Sequence, residues 1–428
     1  MQICEIINVG TELLLGETLN TNAQFLCQQL AAMGISVQRI ATVGDNPARL
    51  REDFNRALSR SDIIILTGGL GPTQDDLTKE VIAEALDLEL IEDPQQMQCI
   101  QAFFQKRGVP CSESNRKQAM VPAGCTVLYN ENGTAPGILI PYKAPSSQNS
   151  GGTEEKLIIL LPGPPRELRH MFTRSLAPLL APRGDGVIIS RHLRTIGLGE
   201  SRMAELCADF LDQSNPTVAP YAKDGEAYLR VSAAAPNKAQ AEAMCADVIE
   251  SLQIRLGKSA YSVDKSLEEV VLELLRAQGK TLAIAESCTG GGICETLTAL
   301  PGASEVFGFG FVTYANAAKE SLLNVSRETI ARHGAVSAQC AKEMAEGARA
   351  RAGADIAVAV TGIAGPGSDN SAKPVGLIYL HATDGRHSRH LKFETGRNDR
   401  GYNRIAASKQ ALALVRQILL SPEGEGAP

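Results

Sequence analysis

Short apolar runs alternate with amphipathic stretches over the first 175 residues, a rhythm that predicts strands at Ile3–Val9, Ser36–Thr42, Asp62–Thr67 and Leu157–Leu161. Between them, Thr21–Met33 and Pro47–Ser59 carry apolar residues at helical spacing, with Asn46-Pro47 as a helix start. This order predicts an α/β fold with a parallel, doubly wound sheet over 1–175. The polar stretch 143–155 sits between the apolar runs Gly137–Tyr142 and Leu157–Leu161 and reads as the tip of an extended hairpin. A second region, 186–257, predicts a small α+β module: strand Val187–Thr195, helix Glu200–Leu211, strands Thr217–Ala222 and Ala227–Ala234, helix Lys238–Leu256. The third, 264–421, opens with helix Ser266–Gln278 and returns to alternating strands and helices, while 422–428 reads as a disordered tail.

Composition narrows the function. A chain of 428 residues exceeds one ordinary core, in keeping with these three regions. With 44% hydrophobic residues, no 18-residue apolar span and no leader pattern at Met1–Glu5, a cytoplasmic protein with no membrane segment is expected. Ten scattered cysteines form no C-x-x-C pair and no zinc-ligand cluster. The net charge of −6 argues against direct nucleic-acid binding, which rests on phosphate neutralisation by Lys and Arg, and favours small polar metabolites.

Two places carry candidate chemistry. In the first region three strand ends run into turns, at Gly10-Thr11-Glu12, at Gly68 to Asp76, and at Pro162 to Glu167, where open α/β sheets bind ligands. Gly68, Gly69 and Gly71 would let backbone approach a phosphate, and Asp75 and Asp76 would then need a divalent cation between them and it. The competing reading is that both aspartates cap a helix Leu77–Leu86.

In the third region the run Thr281–Ala285 delivers Glu286-Ser287-Cys288-Thr289-Gly290 to a glycine-rich turn ahead of an amphipathic segment. A helix N-terminus there would set the Ser287 hydroxyl beside unpaired N–H groups able to hold an oxyanion or a phosphate. No histidine stands in a triad context, so Lys319 is the candidate base, against the alternative of a solvated helix lysine. Cys288 is a rival nucleophile, or a buried structural thiol. The turn Thr361-Gly362 to Gly367 could wall the same crevice. Arg400 and Arg404, four apart on one helical face, could fork onto a phosphate, or form a solvated basic face.

Together these motifs resemble the CinA family of competence/damage-inducible proteins over nearly the whole chain. The first region is similar to MogA/MoaB-like molybdopterin-binding domains through Gly10–Gly16, Thr67–Thr73, Gly133-Thr134-Ala135-Pro136-Gly137 and Leu161–Pro165. The third is similar to a nicotinamide mononucleotide deamidase domain through Ala285–Gly291, Gly310–Tyr314, Gly334–Ser337 and Gly362–Pro366. The resemblance implies Ser287 as nucleophile, Lys319 as base, and Tyr314 and Thr361 as positioning residues, with Glu286, Cys288, Thr289, Gly290, Gly362, Arg400 and Arg404 around the substrate. Arg397 competes with Arg400, because Gly396 stands two residues early for the family's Gly-Asp-Arg motif.

For the first region the resemblance implies an ADP-ribose pyrophosphatase, its site drawn from Glu12, Gly68, Gly69, Gly71, Thr73, Asp75, Asp76, Thr134 and Gly163, with Mg, Mn or Co held by Asp75, Asp76 and Glu12. No cofactor is expected for the deamidase. A homodimer is implied as well. The middle region resembles a KH-type module, but Gly197-Leu198-Gly199-Glu200 is not the Gly-x-x-Gly loop that clamps RNA, so it reads as a spacer. Alternatives from other classes are a pterin nucleotidyltransferase in the first region, and a non-enzymatic scaffold for a competence or recombination protein.

Overall fold

The chain's computed structural model describes residues 2–145, 153–184, 186–223, 225–367 and 373–421. The expected tail and the centre of the expected hairpin tip, 146–152, lie outside the described residues. Two compact units are present, Met1–Ile189 with Ala233–Ala243, and Ser190–Ser232 with Met244–Pro428.

In the first unit the chain forms β1 (Ile3–Val9), β2 (Ser36–Val43), β3 (Ile63–Thr67), β4 (Leu90–Glu92), β5 (Met120–Pro122), β6 (Thr126–Leu128), β7 (Gly137–Pro145) and β8 (Thr153–Leu161). Six of them make one sheet in the order β2-β1-β3-β8-β7-β6, while β4 and β5 pair separately. Because successive side chains of a strand point to opposite faces, β3 feeds two cores. Ile64 and Leu66 pack with Leu50 and Phe54 of helix Pro47–Arg60, and Ile63 and Ile65 with Leu26 and Leu30 of helix Thr21–Ala32. Burial on both faces is why β3 reads Ile-Ile-Ile-Leu-Thr without polar alternation. Asn46 caps its helix as expected, accepting from Arg49 N with Pro47 in the first turn.

The four strands expected to be parallel are so, and the expected hairpin adds antiparallel strands at one side. β2, β1, β3 and β8 are parallel, whereas β7 and β6 run antiparallel to their neighbours. The β7–β8 hairpin keeps its register out to Pro145 opposite Thr153, so β8 starts four residues before its apolar run. Parallel β1, β3 and β8 end at the same edge, which brings the Gly10, Gly68 and Pro162 turns together.

The middle region contributes β9 (Val187–Thr195), β10 (Thr217–Lys223), β11 (Glu226–Ala235) and β12 (Ala260–Val263), in the order β10-β11-β9-β12. The expected helix over 200–211 is interrupted at Cys207, whose φ of −115° and ψ of 17° leave the helical region. β12 was not expected, since four residues are too few to show a period. Residues 190–232 pack within one unit with residues of the third region. Lys409 bridges Glu226 of β11 and Glu268 at 3.0 Å, and the Tyr261 hydroxyl donates to Glu226 at 2.7 Å.

The third region builds β13 (Leu282–Glu286), β14 (Phe307–Val312), β15 (Ile356–Gly362), β16 (Leu377–Thr383) and β17 (Ser388–Glu394), ordered β14-β13-β15-β16-β17. β13, β14 and β15 are parallel. β16 and β17 add antiparallel, as a hairpin with no intervening helix. Large residues (Ile284, Val358, Val360) face helices Leu267–Ala277 and Arg400–Leu419. Alanines (Ala283, Ala285, Ala357, Ala359) face helix Ala338–Ala352, which also presents alanines and so approaches closely.

Candidate functional site

At the end of β13 the backbone extends its ladder by one bond, Ser287 N to Val360 O at 3.1 Å, and then turns through Gly290 (φ +60°) and Gly291 (φ +95°) into helix Gly292–Thr298. Positive φ at both positions is why glycines stand there. Ser287 is 8% exposed. Helix Asn316–Leu323 brings Lys319 beneath it, 1% exposed, with Nζ 3.1 Å from Ser287 Oγ, 2.8 Å from Thr313 O and 3.3 Å from Tyr314 O.

Burial lowers the Lys319 pKa from 10.5. Protonated, the amine donates to all three oxygens. Neutral, it has two N–H groups for the two carbonyls and one lone pair for the serine O–H, so the same geometry suits a base. The solvated-lysine alternative is excluded.

Glu286 is placed otherwise than expected. Its side chain is 0% exposed and accepts from Gly291 N at 3.0 Å, Ile293 N at 3.1 Å and Cys294 N at 2.9 Å. A helix N-terminus leaves its first N–H groups unpaired, and the adjacent carboxylate fills them. They are therefore closed to a substrate phosphate or oxyanion, a correction to the expectation. Gly290 N donates to Ser287 O at 3.1 Å and Gly292 N to Thr289 O at 3.2 Å. Among the described residues, the N–H groups left without a partner in this turn are those of Cys288 and Thr289.

Ser287, Lys319, Tyr314, Cys288, Thr361, Gly362 and Arg400 line one cavity of about 510 Å³. Four expected substrate contacts, Glu286, Thr289, Gly290 and Arg404, do not line it. Arg404 instead donates from Nε (3.0 Å) and Nη2 (2.7 Å) to the Thr289 carbonyl. Arg400 lies exposed at the cavity, bound to Gly365 O at 2.9 Å and to the Tyr314 hydroxyl at 3.2 Å, and Tyr314 is 60% exposed. Arg397 stacks on Tyr402 and lines a different cavity. Thr361 Oγ1 donates to Ala335 O at 2.8 Å, joining two walls. Cys288 is buried and its thiol is pushed up to about 12 by desolvation, so it carries no thiolate near neutrality. Asn316 also lines the cavity and was missed, although its position three residues before Lys319 on one helix places both on one face.

In the first unit, Glu12, Gly68, Gly69, Gly71, Asp75, Asp76, Thr134 and Gly163 line a cavity of about 610 Å³. Thr73 does not, because its N–H and hydroxyl are turned onto Asp76, the N–H at 3.0 Å. Helix Thr78–Ala85 has Leu77 at its cap with no side-chain bond, so the capping alternative for Asp75 and Asp76 fails. Cβ atoms at Gly10 and Gly71 would overlap the carboxylates of Glu12 and Asp76, which fold back over the turns. Buried Asn22, also missed, donates to Gly163 O at 2.6 Å, and its Oδ1 has no partner among the described residues. Those residues hold no group of three or more acidic, histidine or cysteine side chains close enough to bind a metal ion by themselves.

No helix among the described residues is long and apolar enough to cross a membrane. Three family models match: a probable molybdopterin binding domain over 5–182, a damage-inducible protein CinA KH domain over 190–262, and a CinA C-terminal domain over 264–419. A putative competence-damage inducible protein of Symbiobacterium thermophilum is 47% identical over 431 residues, covering 98% of this chain and 99% of the relative. A CinA-like protein of Dictyoglomus thermophilum is 47% identical over 423 residues, with the same coverage. Among solved structures, the competence/damage inducible protein CihA from Agrobacterium tumefaciens is 41% identical, matching 36% of this chain and 93% of that chain at a TM-score of 0.35. With a molybdopterin-binding-type domain, a KH-type module and a CinA C-terminal domain in succession, this chain belongs to the CinA family of competence/damage-inducible proteins.

Proposed function

We propose that the C-terminal domain is an amidase that converts nicotinamide mononucleotide to nicotinic acid mononucleotide and ammonia. The observation that carries this reading is the buried Lys319 amine 3.1 Å from the Ser287 hydroxyl, inside a cavity large enough for a mononucleotide. Neutral Lys319 takes the serine proton as Oγ attacks the carboxamide carbon. The resulting oxyanion meets the N–H group of Cys288, which lines the cavity, and such a donor contributes roughly 2.7–4 kcal/mol in comparable sites. Protonated Lys319 then passes its proton to the leaving nitrogen, and the C–N bond breaks to release ammonia. Water, deprotonated by Lys319, hydrolyses the acyl ester and regenerates Ser287. Arg400 at the cavity mouth supplies positive charge for the substrate phosphate, and Tyr314 orients it.

The cavity of the first unit supports a second activity, hydrolysis of ADP-ribose to AMP and ribose 5-phosphate. Its donors are hard oxygens, Glu12, Asp75 and Asp76, which suit Mg or Mn, with Co as a further candidate. Lacking a protein-only ligand set, they would hold such an ion jointly with the diphosphate, and the ion would neutralise phosphate charge there. Gly68, Gly69 and Gly71 leave room for the diphosphate against backbone.

The test is to incubate the purified chain with each substrate, with and without a chelator. Ammonia release that ignores the chelator and ADP-ribose cleavage that requires the metal would bear out both assignments. Absence of ammonia overturns the first.

A further inference from the structure

The turn that carries Ser287 is held from two sides by side chains that do not reach the cavity. On its amide side sits the Glu286 carboxylate, bonded to Gly291, Ile293 and Cys294 N. On its carbonyl side Arg404, one turn into helix Arg400–Leu419, places two N–H groups on the single oxygen of Thr289. A peptide unit is planar and trans, so its C=O and N–H point opposite ways. Fixing the Thr289 carbonyl toward Arg404 therefore aims the Gly290 N–H back into the turn, where it meets Ser287 O at 3.1 Å. That bond fixes the next plane in turn. With the Ser287 carbonyl drawn inward, the Cys288 N–H of the same peptide unit points outward from the turn, and Ser287 and Cys288 both line the cavity.

From this chain of peptide planes we infer that Arg404 is a positioning residue for the oxyanion donor beside Ser287, the Cys288 N–H, acting through the Thr289 carbonyl, and not a ligand of the substrate phosphate. The inference rests on the proposed serine–lysine amidase. It separates two arginines four residues apart on one helix: Arg400 faces the cavity, and Arg404 faces the turn. Lysine at 404 keeps the charge but cannot present two donors in a fixed fork, so it restores the geometry only in part.

The experiment compares the full-length wild type with Arg404→Ala and Arg404→Lys in two assays. One is steady-state ammonia release from nicotinamide mononucleotide and from nicotinamide riboside, which lacks the phosphate. The other is the rate at which a fluorophosphonate probe labels Ser287, read by peptide mapping. The probe's phosphoryl oxygen needs the same donor but no natural substrate. A misaligned donor predicts a loss in kcat of about 100-fold for Arg404→Ala on both substrates, KM held within about twofold, an intermediate loss for Arg404→Lys, and labelling slowed in parallel. A KM increase confined to the mononucleotide, with kcat and labelling intact, would make Arg404 a phosphate ligand and overturn the inference. So would unchanged parameters throughout. If the wild type is labelled at Ser287 but deamidates neither compound, the amidase reading fails on its own, and the labelling rates alone decide the role of Arg404. If Ser287 is neither labelled nor active, both fall. Should Arg404→Ala not fold, the same comparison is read from Arg404→Lys.

Discussion

Replacing Lys319 by methionine removes the amine while keeping a similar chain length in a site that is 1% exposed. A general base contributes about 10²–10⁴ in rate, which is roughly 2.7–5.5 kcal/mol of barrier at 1.36 kcal/mol per tenfold. Ammonia release by Lys319→Met is therefore expected to fall by that factor. Two carbonyls, of Thr313 and Tyr314, lose their donor, at about 1–3 kcal/mol each, and removal of a desolvated amine offsets part of this. Thermal unfolding should show a folded variant of reduced Tm.

The pH profile supplies the sharper criterion. Burial lowers the Lys319 pKa from 10.5, so in the folded enzyme the amine protonates only as pH falls through that depressed value. Wild-type kcat/KM should climb with pH through it and level off above. Stability follows the same sign: the unfolded lysine binds its proton more tightly, so this group's contribution is whole above pH 10.5 and is lost as pH falls through the folded pKa. Lys319→Met should abolish that limb. A folded variant retaining more than about a tenth of wild-type ammonia release, or showing the same acid limb, would refute the base assignment.

Ser287→Ala should abolish ammonia release and leave ADP-ribose cleavage intact, with Asp75→Ala doing the reverse; loss of both activities in either variant would argue against separate sites. Arg400→Ala should raise KM for the mononucleotide about 10–100-fold, as expected for a charge-assisted hydrogen bond of about 1.5–3 kcal/mol, and leave the riboside unaffected. Because the Cys288 thiol titrates near 12, alkylating reagents at neutral pH should spare activity and Cys288→Ser should remain active; rapid inactivation traced to Cys288 would restore the cysteine as nucleophile.

What was legible in the sequence is what depends on side-chain period and turn chemistry. β1 and β3 were readable from apolar runs, and helix Pro47–Arg60 from Asn46-Pro47. The β16–β17 hairpin escaped because β17, Ser-Arg-His-Leu-Lys-Phe-Glu, has one face largely in solvent, although Asp384-Gly385 between the strands is a hairpin signal. Ser287 and Lys319 could be paired from the types of residue that chemistry requires. Glu286 and Arg404 could not be sorted the same way: whether a carboxylate meets substrate or a helix end depends on which way a few peptide planes face, and residue identity does not encode that. Asp75 and Asp76 were open between cap and cavity for the same reason, until Leu77 proved to be the cap.

β12 lies at the outer edge of its sheet and covers β9, yet in sequence it belongs to the stretch leading into helix Leu267–Ala277. Any fragment that carries β9 must therefore run past Asp264, whose N–H pairs with His192 O at 2.9 Å. A scissile point before Ala260 would hand that strand to the wrong piece and strip β9 of its neighbour. The bare row of N–H and C=O groups would then recruit other molecules edge to edge, so the truncated module should precipitate where the longer one stays dispersed.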